Sequence, residues 1–331
     1  MKVRQNKLSK KGNPLTKFIV VAVVFAILVL AKELELLSTS ILLIVQYIGI
    51  YSIFVIGINM VNGYLGVFSL AHAGFMAVGA YSSAIFSRYI FTAEWMFPVC
   101  LIAGGVVALL VGIIVAIPSF KAKGDYLAII TLGFSLMMQS ILQNMNFVGA
   151  SKGMNNISKF TNIYWVFAFV LLAIFVVSKF INSKYGRSLK AIREDETASM
   201  LVSVDVRRSK TIAFATSAFL IGTSGGLIAH LLGYTSPSAY GFTNIVDGLV
   251  MVYLGGMGSI TGSIFGATIW QMLVQLLKGL GTWRWVVGGS LLCLIMIIRP
   301  KGIFGYIEIN DLIQSIKKRI VKIKENKGGK E

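Results

Sequence analysis

Apolar runs long enough to cross a lipid bilayer recur from one end of this chain to the other, and they settle its fold class before any motif is considered. A transmembrane helix needs ~20 apolar residues to cross the hydrocarbon core. Such segments are read at about 15–31, 37–60, 65–87, 96–117, 126–143, 163–178, 211–233, 242–257, 261–279 and 284–298. Within hydrocarbon every backbone N–H and C=O must be satisfied inside the protein, and for isolated runs of this length that means helices. The expected fold is all-α: a polytopic membrane protein with about ten transmembrane helices, some of them broken or re-entrant. Only 13% of the residues are charged, about half the share of an ordinary soluble domain. The run "FIVVAVVFAILVLA" from Phe18 lacks a small-residue cleavage site before "KELE" and reads as a retained helix.

A net charge of +18 would point to nucleic acid in a soluble protein, but its distribution excludes that partner here. With the amino terminus inside, 25 of the 31 Lys and Arg fall on one side: those up to Lys17, Lys121 and Lys123, those from Lys179 to Lys210, and those from Arg299 onward. The positive-inside rule then places both termini in the cytoplasm, at the plasma (inner) membrane. Segment 242–257 is the weakest and fits a re-entrant loop as well as a span, but deleting it would put the basic tail outside. The chain divides into a basic amino terminus (1–14), a membrane domain (15–298) with one long inner loop (179–210), and a basic tail (299–331). In that tail Ile309, Leu312, Ile313, Ile316, Ile320 and Ile323 recur at helical spacing among lysines, the pattern of a helix lying on membrane lipid. Cys100 and Cys293 both sit in apolar segments, so neither a disulfide nor a metal site is expected.

Candidate chemistry is sparse. "GTSGG" from Gly222 has the spacing of an intramembrane serine nucleophile, but Ser224 and His230 are six apart on one helix and so point about 240° away from each other. No phosphate-binding loop of the Gly-x-x-x-x-Gly-Lys-Ser/Thr type occurs. Any ATP use therefore belongs to a partner, and no catalytic residue, cofactor or metal is assigned. Ion coupling would need ionisable groups within the spans; the inventory is Asp247 and His72, with His230 near an outer end. Glycines are crowded instead into "GYLGVFSLAHAGFMAVGAYSSAIF" from Gly63 and "YLGGMGSITGSIFGA" from Tyr253. The two segments share a Tyr-Leu-Gly start and a Gly-Ser break, as repeated interrupted segments of transporters do; chance accounts for the echo about equally well. In the inner loop Ser188 is expected to cap a helix "LKAIRE" and Asp195 a second, "ETASMLV". Leu189 and Ile192, then Ala198, Leu201 and Val202, give each a narrow apolar side.

The loop and following helix, "GRSLKAIREDETASMLVSVDVRRSKTIAFATSAFLIGTSGGLIAHLLGYTSP" from Gly186, resemble the LivM-type permeases of branched-chain amino-acid ABC importers. Four further blocks agree: "FSLAHAGFMAVGAY" from Phe68, "KGDYLAIITLGF" from Lys123, "MVYLGGMGSITGSIFGA" from Met251 and "RPKGIFG" from Arg299. The resemblance implies a subunit that works with a second permease subunit, two ABC ATPase subunits and an extracytoplasmic substrate-binding protein. It implies that the segment Glu194 to Val206 couples to the ATPases, with Arg193, Glu194, Asp195, Glu196, Ala198, Leu201, Ser203 and Val206 as its residues. It also implies that Gly66, Ser69, His72, Gly74, Gly79, Asp247, Gly255, Gly256, Gly258 and Gly262 line the translocation path or pack helices closely. The alternatives are a permease for a sugar, nucleoside or amide, and an ion-coupled secondary transporter. The chain departs from the family pattern at Ala71, Leu136, Ser203, where a glycine is expected, and Ser263, where proline is frequent.

Overall fold

The computed structural model describes residues 38–298 apart from Thr92, Lys123 and Thr282; the first expected span and the amphipathic tail lie outside them. Among the described residues eleven α-helices follow in order. They are α1 (Thr39–Asn59), α2 (His72–Tyr89), α3 (Phe97–Ser119), α4 (Asp125–Asn144), α5 (Ile163–Asn182), α6 (Lys184–Glu194), α7 (Glu196–Leu201), α8 (Val206–Leu232), α9 (Phe242–Gly255), α10 (Ile260–Leu276) and α11 (Trp283–Ile298). Among the described residues there is no strand, only an isolated antiparallel bridge between Met154 and Thr235.

Among the described residues six helical segments are long and apolar enough to cross a membrane: Thr39–Leu65, Glu94–Ser119, Asp125–Asn144, Ile163–Asn182, Val206–Leu232 and Ile260–Gly279. The 14-residue α9 is about 21 Å long at 1.5 Å per residue, short of the ~30 Å core. The expected span at 65–87 is corrected at its start. α1 runs on through a π-helical turn, Met60–Leu65, which ends at Gly66 in a left-handed conformation (φ 75°). Helix resumes only at His72, because the carbonyl and N–H of Ser69 bond the Asn62 side chain instead of a helical neighbour.

The core is built around α8, which packs against α1, α2 and α3. Small residues on α8 let other backbones approach, as they do between membrane helices lacking a hydrophobic driving force. A methyl group added at Gly79 of α2 would collide with the backbone of Gly222 on α8. Gly79→Ala is therefore expected to lower the resistance of the purified protein to heat or SDS by about 1–3 kcal/mol, the usual cost of overpacking. Ser217 on α8 donates to the Gly57 carbonyl at 2.6 Å. The surface is apolar in the opposite sense to a soluble fold: Leu110, Ile114 and Ile129 stand exposed, where acyl chains would cover them.

Candidate functional site at the interrupted helices

Two helical hairpins turn at the same end of the bundle, and their turns are tied together. The first is α1, its π-helical turn, the non-helical stretch 66–71, and α2. The second is α9 and α10, joined through Gly256 (φ 118°) and Gly258 (φ 82°). Backbones at this second turn are nearly in contact, since side chains at Gly255 and Gly262 would each strike the other's backbone. Asn59 spans the two turns. Its Nδ2 donates to Ser263 Oγ at 2.7 Å and the Ser259 carbonyl at 3.0 Å, and its Oδ1 accepts from the Gly258 N–H at 2.7 Å. All of these groups are buried or nearly so, where an unpaired backbone group is costly. Ser263, the departure from proline noted above, supplies the hydroxyl this bridge uses.

Asn62, one turn on, closes the non-helical stretch. Its Nδ2 donates to the Ser69 carbonyl and its Oδ1 accepts from the Ser69 N–H, both at 3.2 Å. Irregular backbone at membrane depth persists only when buried in protein or lining a cavity, and Ser69 and Ala71 are buried. His72 opens α2 just beyond. Its Nε2 hydrogen-bonds the Ile245 carbonyl of α9 at 3.0 Å, so this nitrogen carries the proton. Gly74 packs on Phe134 and Ser135 of α4, and Asp247 is half-buried on α9. A narrow crevice lies against Asn62, Ser69, His72 and Ser217.

The short helices α6 and α7 sit under the first turn. Ser183 caps α6, accepting from the Gly186 N–H at 3.5 Å. This corrects the expected cap at Ser188, which lies inside the helix and donates to the Lys184 carbonyl; the extended backbone at Ser183 starts the helix one turn earlier. Asp195 caps α7, accepting from the Ala198 N–H at 2.9 Å, as its position required. Leu189 and Ile192 are buried and hold α6 to the bundle. Glu196 pairs with Lys210 of α8 at 2.8 Å. Arg193 turns inward, its Nη1 donating to the Gly63 carbonyl at 2.6 Å, and its stem fills the space a side chain at Gly66 would occupy.

The rest of the expected coupling residues divide by exposure. Val206 is buried at the start of α8, whereas Glu194 and Ala198 face outward. Met200, Leu201 and Val202 form an apolar tip, Leu201 84% and Val202 71% exposed. Ser203 holds a left-handed backbone (φ 61°), a conformation that costs an L-residue roughly 1–2 kcal/mol and glycine little. Ser203→Gly is expected to raise the apparent melting temperature slightly, by the equivalent of about 1 kcal/mol; a fall would show that the serine side chain is needed there.

Ser224 and His230 do not meet: Ser224 donates to the Ile221 carbonyl, and His230 bonds the Gly226 carbonyl and Ser87. Among the described residues no cluster of His, Cys, Asp and Glu could hold a metal ion. The residues missed by sequence reasoning are Asn59 and Asn62. The sequence does carry a signal for them, two amides three apart in the apolar run "FVIGINMVNGYLG", since uncharged polar groups in a span also need partners.

A multi-pass helical bundle with paired interrupted hairpins and a short-helix pair projecting below them defines a membrane permease. Residues 40–299 match the family described as branched-chain amino acid transport system permease component, and the chain belongs to that family. It is 31% identical over 289 residues to the high-affinity branched-chain amino acid transport system permease protein LivM of Escherichia coli K12, a match covering 77% of this chain and 67% of that protein. It is 26% identical to LivH of Salmonella typhimurium LT2, covering 78% of this chain and 92% of LivH. A third relative is the probable branched-chain amino acid transport permease protein LivM of Methanocaldococcus jannaschii, 30% identical over 67% of this chain and 72% of that protein. No solved structure matches the chain.

Proposed function

We propose that the chain is the membrane-spanning permease subunit of an ABC importer that moves branched-chain or other hydrophobic amino acids. It works with a second permease subunit, two cytosolic ATPase subunits and an extracytoplasmic binding protein. Both termini and the loop 179–210 lie in the cytoplasm, and Glu194 to Val206 couples the bundle to the ATPases. The observation that carries this reading is the exposed apolar tip of Met200, Leu201 and Val202 on a helix pair whose other large aliphatic residues, Leu189 and Ile192, are buried. An apolar knob among charges, held on a braced support, fits the water-excluding centre of a protein interface. ATP-driven closure of the ATPases would then shift the bundle between outward-open and inward-open states. The test is uptake of radiolabelled leucine by proteoliposomes. Uptake is expected only with ATP, the binding protein and the ATPases present; accumulation by this chain alone under an ion gradient would overturn the reading.

A further inference from the structure

We propose that Arg193 is a positioning residue that carries movement of the α6–α7 pair to the interrupted turn between α1 and α2. The inference rests on the coupling reading above and assigns Arg193 to the bundle side of the loop, not to the ATPase side. Three features of the turn make a site for it.

A helix end leaves carbonyls without intrahelical partners and carries the negative end of the helix dipole. At this end the N–H of Val67, which a continuing α-helix would aim at the Gly63 carbonyl, bonds the Val61 carbonyl instead, at 3.2 Å. Arg193 Nη1 donates to the Gly63 carbonyl at 2.6 Å, a short hydrogen bond strengthened by the guanidinium charge. Finally, Gly66 is both left-handed and bare on the side where the arginine stem lies. A Cβ there would stand 2.6 Å from Arg193 Cγ.

The connection runs onward in both directions. Arg193 is the penultimate residue of α6, and Asp195, two residues later, caps the helix that bears the apolar tip. Past Gly66 the chain reaches Ser69, held by Asn62, and then His72, bonded to α9. A displacement of the tip therefore reaches the interrupted turn between α1 and α2 through one side chain and one backbone carbonyl. Leu189 and Ile192 anchor α6 independently, so loss of the arginine leaves the helix pair in place and removes the link.

The experiment uses the complete transporter in proteoliposomes, with wild type measured first. Wild type without ATP-driven leucine uptake would sink the coupling reading, whatever Arg193 does. Given working wild type, Arg193→Met is expected to lower the leucine taken up per ATP hydrolysed about tenfold, with the ATPases still co-purifying, the protein still accumulating and the melting temperature only modestly lowered by the loss of one hydrogen bond. Arg193→Lys, which keeps a cationic donor, should recover a substantial part. Gly66→Ala should resemble Arg193→Met in its uptake-to-ATP ratio, because the added methyl displaces the arginine stem, but with a lower melting temperature from its left-handed backbone. A wild-type uptake-to-ATP ratio in Arg193→Met would overturn the proposal. So would loss of ATPase co-purification, which would make Arg193 a docking contact, or failure of Arg193→Lys and Arg193→Met alike to accumulate, which would make its role structural.

Discussion

ATP-driven uptake is expected to fall by roughly thirtyfold or more when Leu201 and Val202 are both replaced by aspartate, while the protein inserts and melts as wild type does. The two side chains are 84% and 71% exposed, and exposed substitutions of this kind change stability by about 0.5 kcal/mol or less. Their apolar surface stabilises nothing within the chain. At an interface centre, a buried apolar anchor is worth about 2 kcal/mol or more, close to thirtyfold in affinity, and a carboxylate in its place adds a desolvation penalty. Leucine uptake by vesicles and ATPase co-purification read the two consequences separately. Wild-type uptake and co-purification in the double variant would show that the tip docks nothing.

Asn59→Leu is expected to destabilise the bundle by about 2–4 kcal/mol, read as resistance to SDS or heat. The leucine keeps the branched shape but strands the Gly258 N–H, which has Asn59 Oδ1 as its partner, at roughly 1–3 kcal/mol for a buried donor. It also removes the donor shared by Ser263 Oγ and the Ser259 carbonyl. Ser259 keeps its bond from the Ser263 hydroxyl at 3.0 Å, which is why the cost stays below the sum for three groups. Asn59→Asp should be worse, since it places a carboxylate oxygen against the Ser259 carbonyl. Ser263→Ala removes one of the three acceptors around Asn59 Nδ2, leaving the Ser259 and Gly256 carbonyls, and should cost about 1 kcal/mol. A variant Asn59→Leu as stable as wild type would show that the two turns are held by packing alone.

The bundle's α3, α4, α5 and α8 start and stop within a few residues of where the apolar runs place them, save that α8 begins five residues earlier, at Val206. Hydrocarbon length and backbone satisfaction are local constraints, so a single segment shows them. The break after Leu65 was harder to place. Its cause is a side chain, Asn62, reaching seven residues along the chain to Ser69, and hydrophobicity does not register that bond. In the inner loop the Asp195 cap was legible because an N-cap acts within its own turn. The Ser183 cap was not, since both serines offer the same oxygen and only the backbone at Ser183 is extended.

The candidate site divides along the same line. Glycine crowding near Gly63 and Gly255 and the mixed character of Glu194 to Val206 stand in the sequence. That Asn59 would cross to Gly258, 199 positions away, does not. Nor does the inward turn of Arg193 or the outward turn of Leu201, because charge and hydropathy describe a residue and not which way a short helix lies.

By itself, then, the order of residues determined an all-helical, many-spanning membrane protein with one basic loop, since each span must meet the membrane's demands alone. Only the tertiary structure decided that the two interrupted hairpins meet, that Asn59 ties them, and that Arg193 holds the loop to the first. Those are single polar bonds between distant segments, and their partners exist only once the helices have packed.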